Sequence, residues 1–187
     1  MSYRTYAAVS FATFLTALSP TGIVRAEDKA AATGEFSRAT VDVGIVVRDV
    51  AKSVKFYTEA IGMSEQPGFK VPADYGGEVG LTGGTEGLDV RVVAADDTPG
   101  ATKLKLMQFG SAPKAGATET IDSQLGYRYL TIFITDTTAA VERLKKYGAK
   151  PLAHSPKQLP KGMPQDIYLT VVRDPDGNIV ELVGPKK

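Results

Sequence analysis

The chain has 187 residues, with 22 basic and 21 acidic side chains, one His, and no Cys or Trp. A balance this close to neutral leaves no broad cationic field, so nucleic acid is not an expected partner. The missing Cys excludes a disulfide framework, a thiolate nucleophile and Cys-based zinc or iron–sulfur sites, and one His cannot build a two-His or three-His metal centre within one chain.

The first segment reads as an export signal. Arg4 supplies a minimal positive start, Tyr6 to Leu18 is apolar apart from small hydroxyl residues, and Ser19-Pro20-Thr21-Gly22 breaks a helix. Val24-Arg25-Ala26 then offers a cleavage site ahead of Glu27-Asp28. The apolar run is too short to span a bilayer comfortably. Cleavage after Ala26 is expected, giving a periplasmic or secreted protein with no membrane insertion, a setting that suits a chain without thiols. A linker rich in Ala and Lys, residues 27–38, leads into the folded part.

An internal repeat organises the rest. Val41 to Met63 and Tyr129 to Lys150 share one order of elements, a strand that ends in an Asp and then a helix, with Asp49 and Asp136 offset by 87. Each Asp is placed to cap its helix by accepting from free backbone amides. Val50, Val54, Tyr57 and Ile61 form the apolar stripe of the first helix, and Ala140, Val141, Leu144 and Tyr147 that of the second. Gly62 and Gly148 stand where each helix should stop.

Strands follow each helix. In the second copy they are expected near Lys150 to Ser155, at Asp166 to Arg173 and at Asn178 to Val183, with a turn at Asp174-Pro175-Asp176-Gly177. In the first copy Leu88 to Ala95 and Thr102 to Phe109 read as strands, and the Gly-rich run Val71 to Gly87 reads as a loop near the mouth of a cleft. That run lacks the Gly-Lys-Ser/Thr ending of a phosphate loop. The result is an α+β chain of two βαβββ modules, at 39–109 and 127–187, joined by a linker at 110–126.

Alternation along the strands sorts side chains by face. Val41, Val43, Ile45 and Val47 form one face of the first strand, with Asp42 opposite. Leu104 and Leu106 oppose Lys105, Val180 and Leu182 oppose Glu181, and Leu130, Ile132 and Ile134 oppose Tyr129, Thr131 and Phe133. With helices covering the apolar faces, Asp42, Lys105, Tyr129 and Glu181 line the uncovered ones. Arg91 and Tyr168 alternate with apolar neighbours and are expected to join them, beside Phe133. An aromatic pair with cations beside it suits a planar or anionic small organic ligand. His154, with no nucleophile motif nearby, reads as a surface residue, and Lys157 and Lys161 read as solvated charges.

The repeated βαβββ unit, the run GIVVRDVAKSVKFYTEAIGM and the closing DPDGNIVELVGP together resemble the vicinal oxygen chelate superfamily, the glyoxalase/bleomycin-resistance/dioxygenase fold, from about Thr40 to Pro185. The resemblance implies an open eight-stranded sheet or barrel around a central cleft, with helices outside, in a monomer or homodimer. It also implies a divalent metal held by the first and last strand of each unit. Those positions fall on Asp42 and Tyr129 and on Lys105 and Glu181, and only Glu181 keeps the expected residue type. A divalent ion beside a Lys ammonium meets repulsion of several kcal/mol at low effective dielectric. The expectation is therefore a cleft without a metal cofactor, a ligand-binding or vestigial-enzyme form in which Lys105 pairs with Glu181. Under the alternative of a lyase, isomerase or ring-cleaving dioxygenase, Glu181 is the catalytic candidate and Asp42, Tyr129 and Glu181 the ligand set. A structural or partner-binding role is the third reading.

Overall fold

Two Asp-capped helices organise the molecule, as the repeat implies. In the computed structural model, which describes residues 40–110, 120–123 and 125–187, Asp49 is extended and accepts the Lys52 amide at 3.0 Å, which starts α1 (Val50–Lys55). Asp136 does the same for α3 (Thr137–Tyr147), accepting from Thr138 and Ala139. Gly62 and Gly148 close the two helical segments at φ 94° and 90°, a left-handed conformation that costs Gly little. The expected signal peptide, the 27–38 linker and the greater part of 110–126 lie outside the described residues.

The first helix departs from the regular 3.6-residue pattern. After Lys55 it continues as a π-helical stretch, Phe56–Ile61. The wider turn places two adjacent pairs, Phe56 with Tyr57 and Ala60 with Ile61, on one buried side.

The strands form two four-stranded mixed sheets. In the first, β1 (Val43–Val46), β4 (Lys103–Met107), β3 (Leu88–Ala94) and β2 (Ser64–Val71) lie in that order. In the second the order is β5 (Tyr129–Phe133), β8 (Ile179–Pro185), β7 (Ile167–Arg173) and β6 (Lys157–Gln158). Each sheet pairs its first and last strands in parallel and its other strands antiparallel. No ladder among the described residues joins the two sheets, so β1 and β5 are both edges.

Two elements differ from expectation. A short helix, α2 (Ala73–Glu78), occupies part of the Gly-rich run. The strand expected at Lys150 to Ser155 does not form, and its place in the sheet is taken by β6. Ala153, at φ 48°, breaks the extended run there. The Ser155 hydroxyl then caps the gap, donating to the Leu152 carbonyl at 2.7 Å and accepting from the Val171 amide at 3.2 Å.

One core joins the two modules. It combines Val54, Phe56, Tyr57 and Ile61 with Ala140 and Leu144 of α3, and with the helix-facing residues of both sheets. Phe56 meets Tyr147 edge to face, with ring centroids 5.8 Å apart. The buried Tyr57 hydroxyl donates to the buried carboxylate of Asp174 at 3.1 Å. Asp174 also accepts from the Asp176 and Asn178 amides and the Asn178 side chain, all within 3.0 Å, so the DPDG turn is closed around it. Two further bonds cross the modules: the Arg48 amide donates to the Asp176 carboxylate at 3.2 Å, and Arg143 donates to the Ile61 carbonyl at 3.1 Å.

Candidate functional site

With helices on one face of each sheet, strand register decides what lies on the other, open face. Paired residues of adjacent strands share a face. In the second sheet Thr131 is level with Glu181, Tyr129 with Ile179 and Phe133 with Val183, all opposite the buried Val180 and Leu182. In the first sheet Gly44 is level with Lys105, opposite the buried Leu104 and Leu106. Asp42 precedes β1 on the same side as Gly44. Tyr129, Phe133, Glu181, Asp42 and Lys105 are thus all on open faces.

Their pairing differs from expectation. The Lys105 ammonium lies 3.1 Å from the carboxylate of Asp42, which is in the same module, and not against Glu181. Asp42 is the more buried partner, with a side chain 10% exposed against 36% for Lys105, and it also accepts the Lys103 amide at 3.4 Å. Parallel pairing of β1 with β4 makes the contact short-range within the sheet. Glu181 instead accepts the Thr131 hydroxyl at 2.9 Å, across the β5–β8 ladder.

Arg91 and Tyr168 are corrected by the register. Arg91 is level with Leu106, and Tyr168 with Gly184 and the helix-facing row of β8, so both are on the covered side of their sheets. Arg91 reaches along that side to an ion pair with Glu65 of β2. The Lys186 ammonium lies 5.7 Å from the Tyr168 ring. A central strand is apolar on both faces. Leu88, Val90 and Val92 form a second buried cluster on the open side, with Val71, Met107 and Phe109 against it. His154 is exposed, in the segment before β6.

Thr131 is the residue that sequence reasoning put on the right face without giving it a task. Its role depends on being level with Glu181, and that register becomes visible only when the parallel ladder is known. A pocket of about 290 Å³ opens between the edge strands, walled by β1 from Val43 to Val46 and by Tyr127 to Leu130, with Asn178 and Ile179 at one end. The Arg128 guanidinium is held by the 120–123 loop, donating to the carbonyls of Thr120 and Ile121 and to the Ser123 hydroxyl.

The family model described as Glyoxalase/Bleomycin resistance protein/Dioxygenase superfamily matches residues 39–182. The chain belongs to that superfamily. Solved structures of glyoxalase-superfamily proteins share its fold. The glyoxalase family protein of Bacillus cereus is 23% identical, with a TM-score of 0.64 over 84% of this chain and 100% of that one. The trypanothione-dependent glyoxalase I of Leishmania major is 22% identical, with a TM-score of 0.54 over 79% and 87%. A glyoxalase/bleomycin resistance protein/dioxygenase domain of Frankia sp. is 19% identical, with a TM-score of 0.52 over 80% and 91%. Among curated proteins none matches the chain.

In this member of the superfamily, the four positions implied as metal ligands hold a carboxylate, an ammonium, a phenol and a second carboxylate. The ammonium already neutralises the first carboxylate. Among the described residues no group of three or more His, Cys, Asp or Glu side chains is placed to hold an ion. A donor set of a carboxylate already paired with Lys105, a hydroxyl-bonded carboxylate and a phenol does not fit a divalent cation, because an ion that took Asp42 as a ligand would have to displace Lys105 from it.

Proposed function

We propose that the chain is an exported, metal-independent member of the superfamily that binds a small organic molecule on its open sheet faces, a ligand-binding or vestigial-enzyme form. The observation that carries this reading is the Lys105 ammonium 3.1 Å from Asp42, at two of the four positions where the superfamily would place metal ligands. It supplies the charge balance that a metal would otherwise supply, and it keeps Asp42 occupied. The half-exposed Tyr129 ring at the pocket and the exposed Phe133 ring further along the same face of β5 suit an organic ligand with a flat apolar body.

Metal analysis tests the proposal directly. The chain is purified without chelators, re-equilibrated with Zn, Ni, Mn, Fe(II) or Ca, and assayed for bound ion. Far less than one ion per chain is expected with each. Near-stoichiometric metal that is lost in Glu181→Gln would overturn the reading and make Asp42, Tyr129 and Glu181 the ligand set of an enzyme. Export is tested separately by N-terminal sequencing of the chain recovered from a secretory host, where Glu27 is the expected first residue.

A further inference from the structure

The geometry points to an organic cation carrying an aromatic or other flat group as the ligand of the open face, with Glu181 as its counter-charge and Tyr129 and Phe133 as its flanking rings. This rests on the open-face binding role proposed above and sets the charge of what is bound. The sequence alone suggested an anionic or aromatic ligand, because Lys105 and Arg91 were expected beside the rings. Both cations are committed elsewhere, Lys105 to Asp42 and Arg91 to Glu65 on the covered face of the first sheet.

What remains on the second sheet is an acidic site between aromatic rings. Glu181 stands level with Thr131, and Tyr129 and Phe133 are two residues to either side of Thr131 on the same face of β5. Side chains two apart on one face of a strand are separated by about 7 Å. The Thr131 hydroxyl, 2.9 Å from the carboxylate, fixes the acid between the rings. Because β5 is an edge strand, no neighbouring strand of its own sheet covers the rings on the outer side. Phe133 is 81% exposed and Tyr129 50%. Such rings next to a fixed carboxylate attract a cation both through charge and through their faces.

Nearby cations do not cancel this field. No ion pair to Glu181 forms among the described residues. Arg173 turns to the Gly177 carbonyl at 2.7 Å, and Arg128 is tied to the 120–123 loop. Lys157 shares the open side but is level with Leu169 and Val183, two strands and one pair step from Glu181. That spacing is about 12 Å, beyond the screening length at physiological salt.

NMR titration of the full chain with three probes of similar size tests the inference: phenethylammonium, 2-phenylethanol and 3-phenylpropionate. The cation should saturate with shifts centred on Thr131, Phe133 and Glu181, and should bind about tenfold more tightly than the anion, an advantage that shrinks at high salt. Glu181→Gln keeps an acceptor for Thr131 and should weaken the cation about tenfold while leaving the alcohol unchanged. Phe133→Ala should weaken cation and alcohol alike. If the alcohol or the anion binds these residues as well as the cation does, or if Glu181→Gln leaves the cation unaffected, the charge assignment is overturned while the binding role stands. If none of the probes shifts open-face residues, the assignment and the binding role both fall.

Discussion

At the level of single residues, Tyr57 and Asp174 join the two modules by a hydrogen bond between buried side chains. Burial, first, and the charge of Asp174, second, push the Tyr57 phenol well above its ordinary value of 10.0. The folded chain therefore holds this proton to higher pH than the unfolded chain does. The stability linked to it is complete below about pH 10 and is lost as pH rises from there towards the raised value in the folded state. Tyr57→Phe should lower stability by about 1–3 kcal/mol at neutral pH, because Asp174 loses one of its donors in a buried setting. The same variant should lose stability less steeply above about pH 10. Urea unfolding as a function of pH checks both. Lys105 and Asp42 give a second prediction at this scale. A double-mutant cycle with alanines should show coupling of under about 1 kcal/mol, since the ammonium is partly solvated, and a cycle between Lys105 and Glu181 should show none.

Among the elements, β5 and β8 are those whose fit matters most to the candidate site. Near the end of their ladder a Cβ on Gly184 would overlap the Ile134 carbonyl oxygen, so the two chains approach there as only Gly permits. Gly184→Ala should push β5 away from β8, cost about 1–3 kcal/mol, and disturb the Thr131–Glu181 hydrogen bond. Thermal unfolding and the Thr131 hydroxyl resonance measure the two effects. Caps and stops were legible in the sequence because they depend on neighbours a few residues away: Asp49, Asp136, Gly62 and Gly148 all act locally. The strand-then-helix order that opens each module was legible through the repeat. Arg91 and Tyr168 were misplaced because the two-residue period says that neighbours oppose one another but not which side faces the helices when both sides are apolar. The π-helical turn at Phe56–Ile61 and the loss of a strand before β6 depended on tertiary fit and on the backbone at Ala153, which local pattern does not encode. Partner choice at the site was the least legible part. The faces alone pointed Lys105 to Glu181, whereas the β1–β4 pairing brings it to Asp42.

For the whole molecule, the continuous core makes the modules one cooperative unit in spite of their repeated design. Leu144 is fully buried where α3 meets the π-helical turn, and Leu144→Ala should cost about 2–5 kcal/mol. Calorimetry should show a single transition both in the parent and in this variant, with the whole peak moved to lower temperature. Separate peaks for the two modules would contradict a shared core.

Among the described residues no ladder joins β1 to β5, so the gap between them is a side-chain dimension, and its inner wall is Val43, Ile45, Leu130 and Ile132, which pack on the core cluster of the helices. Main-chain pairing would have fixed that width at one strand spacing for any sequence. Here the caliper is adjustable: a bulkier residue at Ala140 or a smaller one at Leu144 should reshape the aperture while every residue that lines it stays the same.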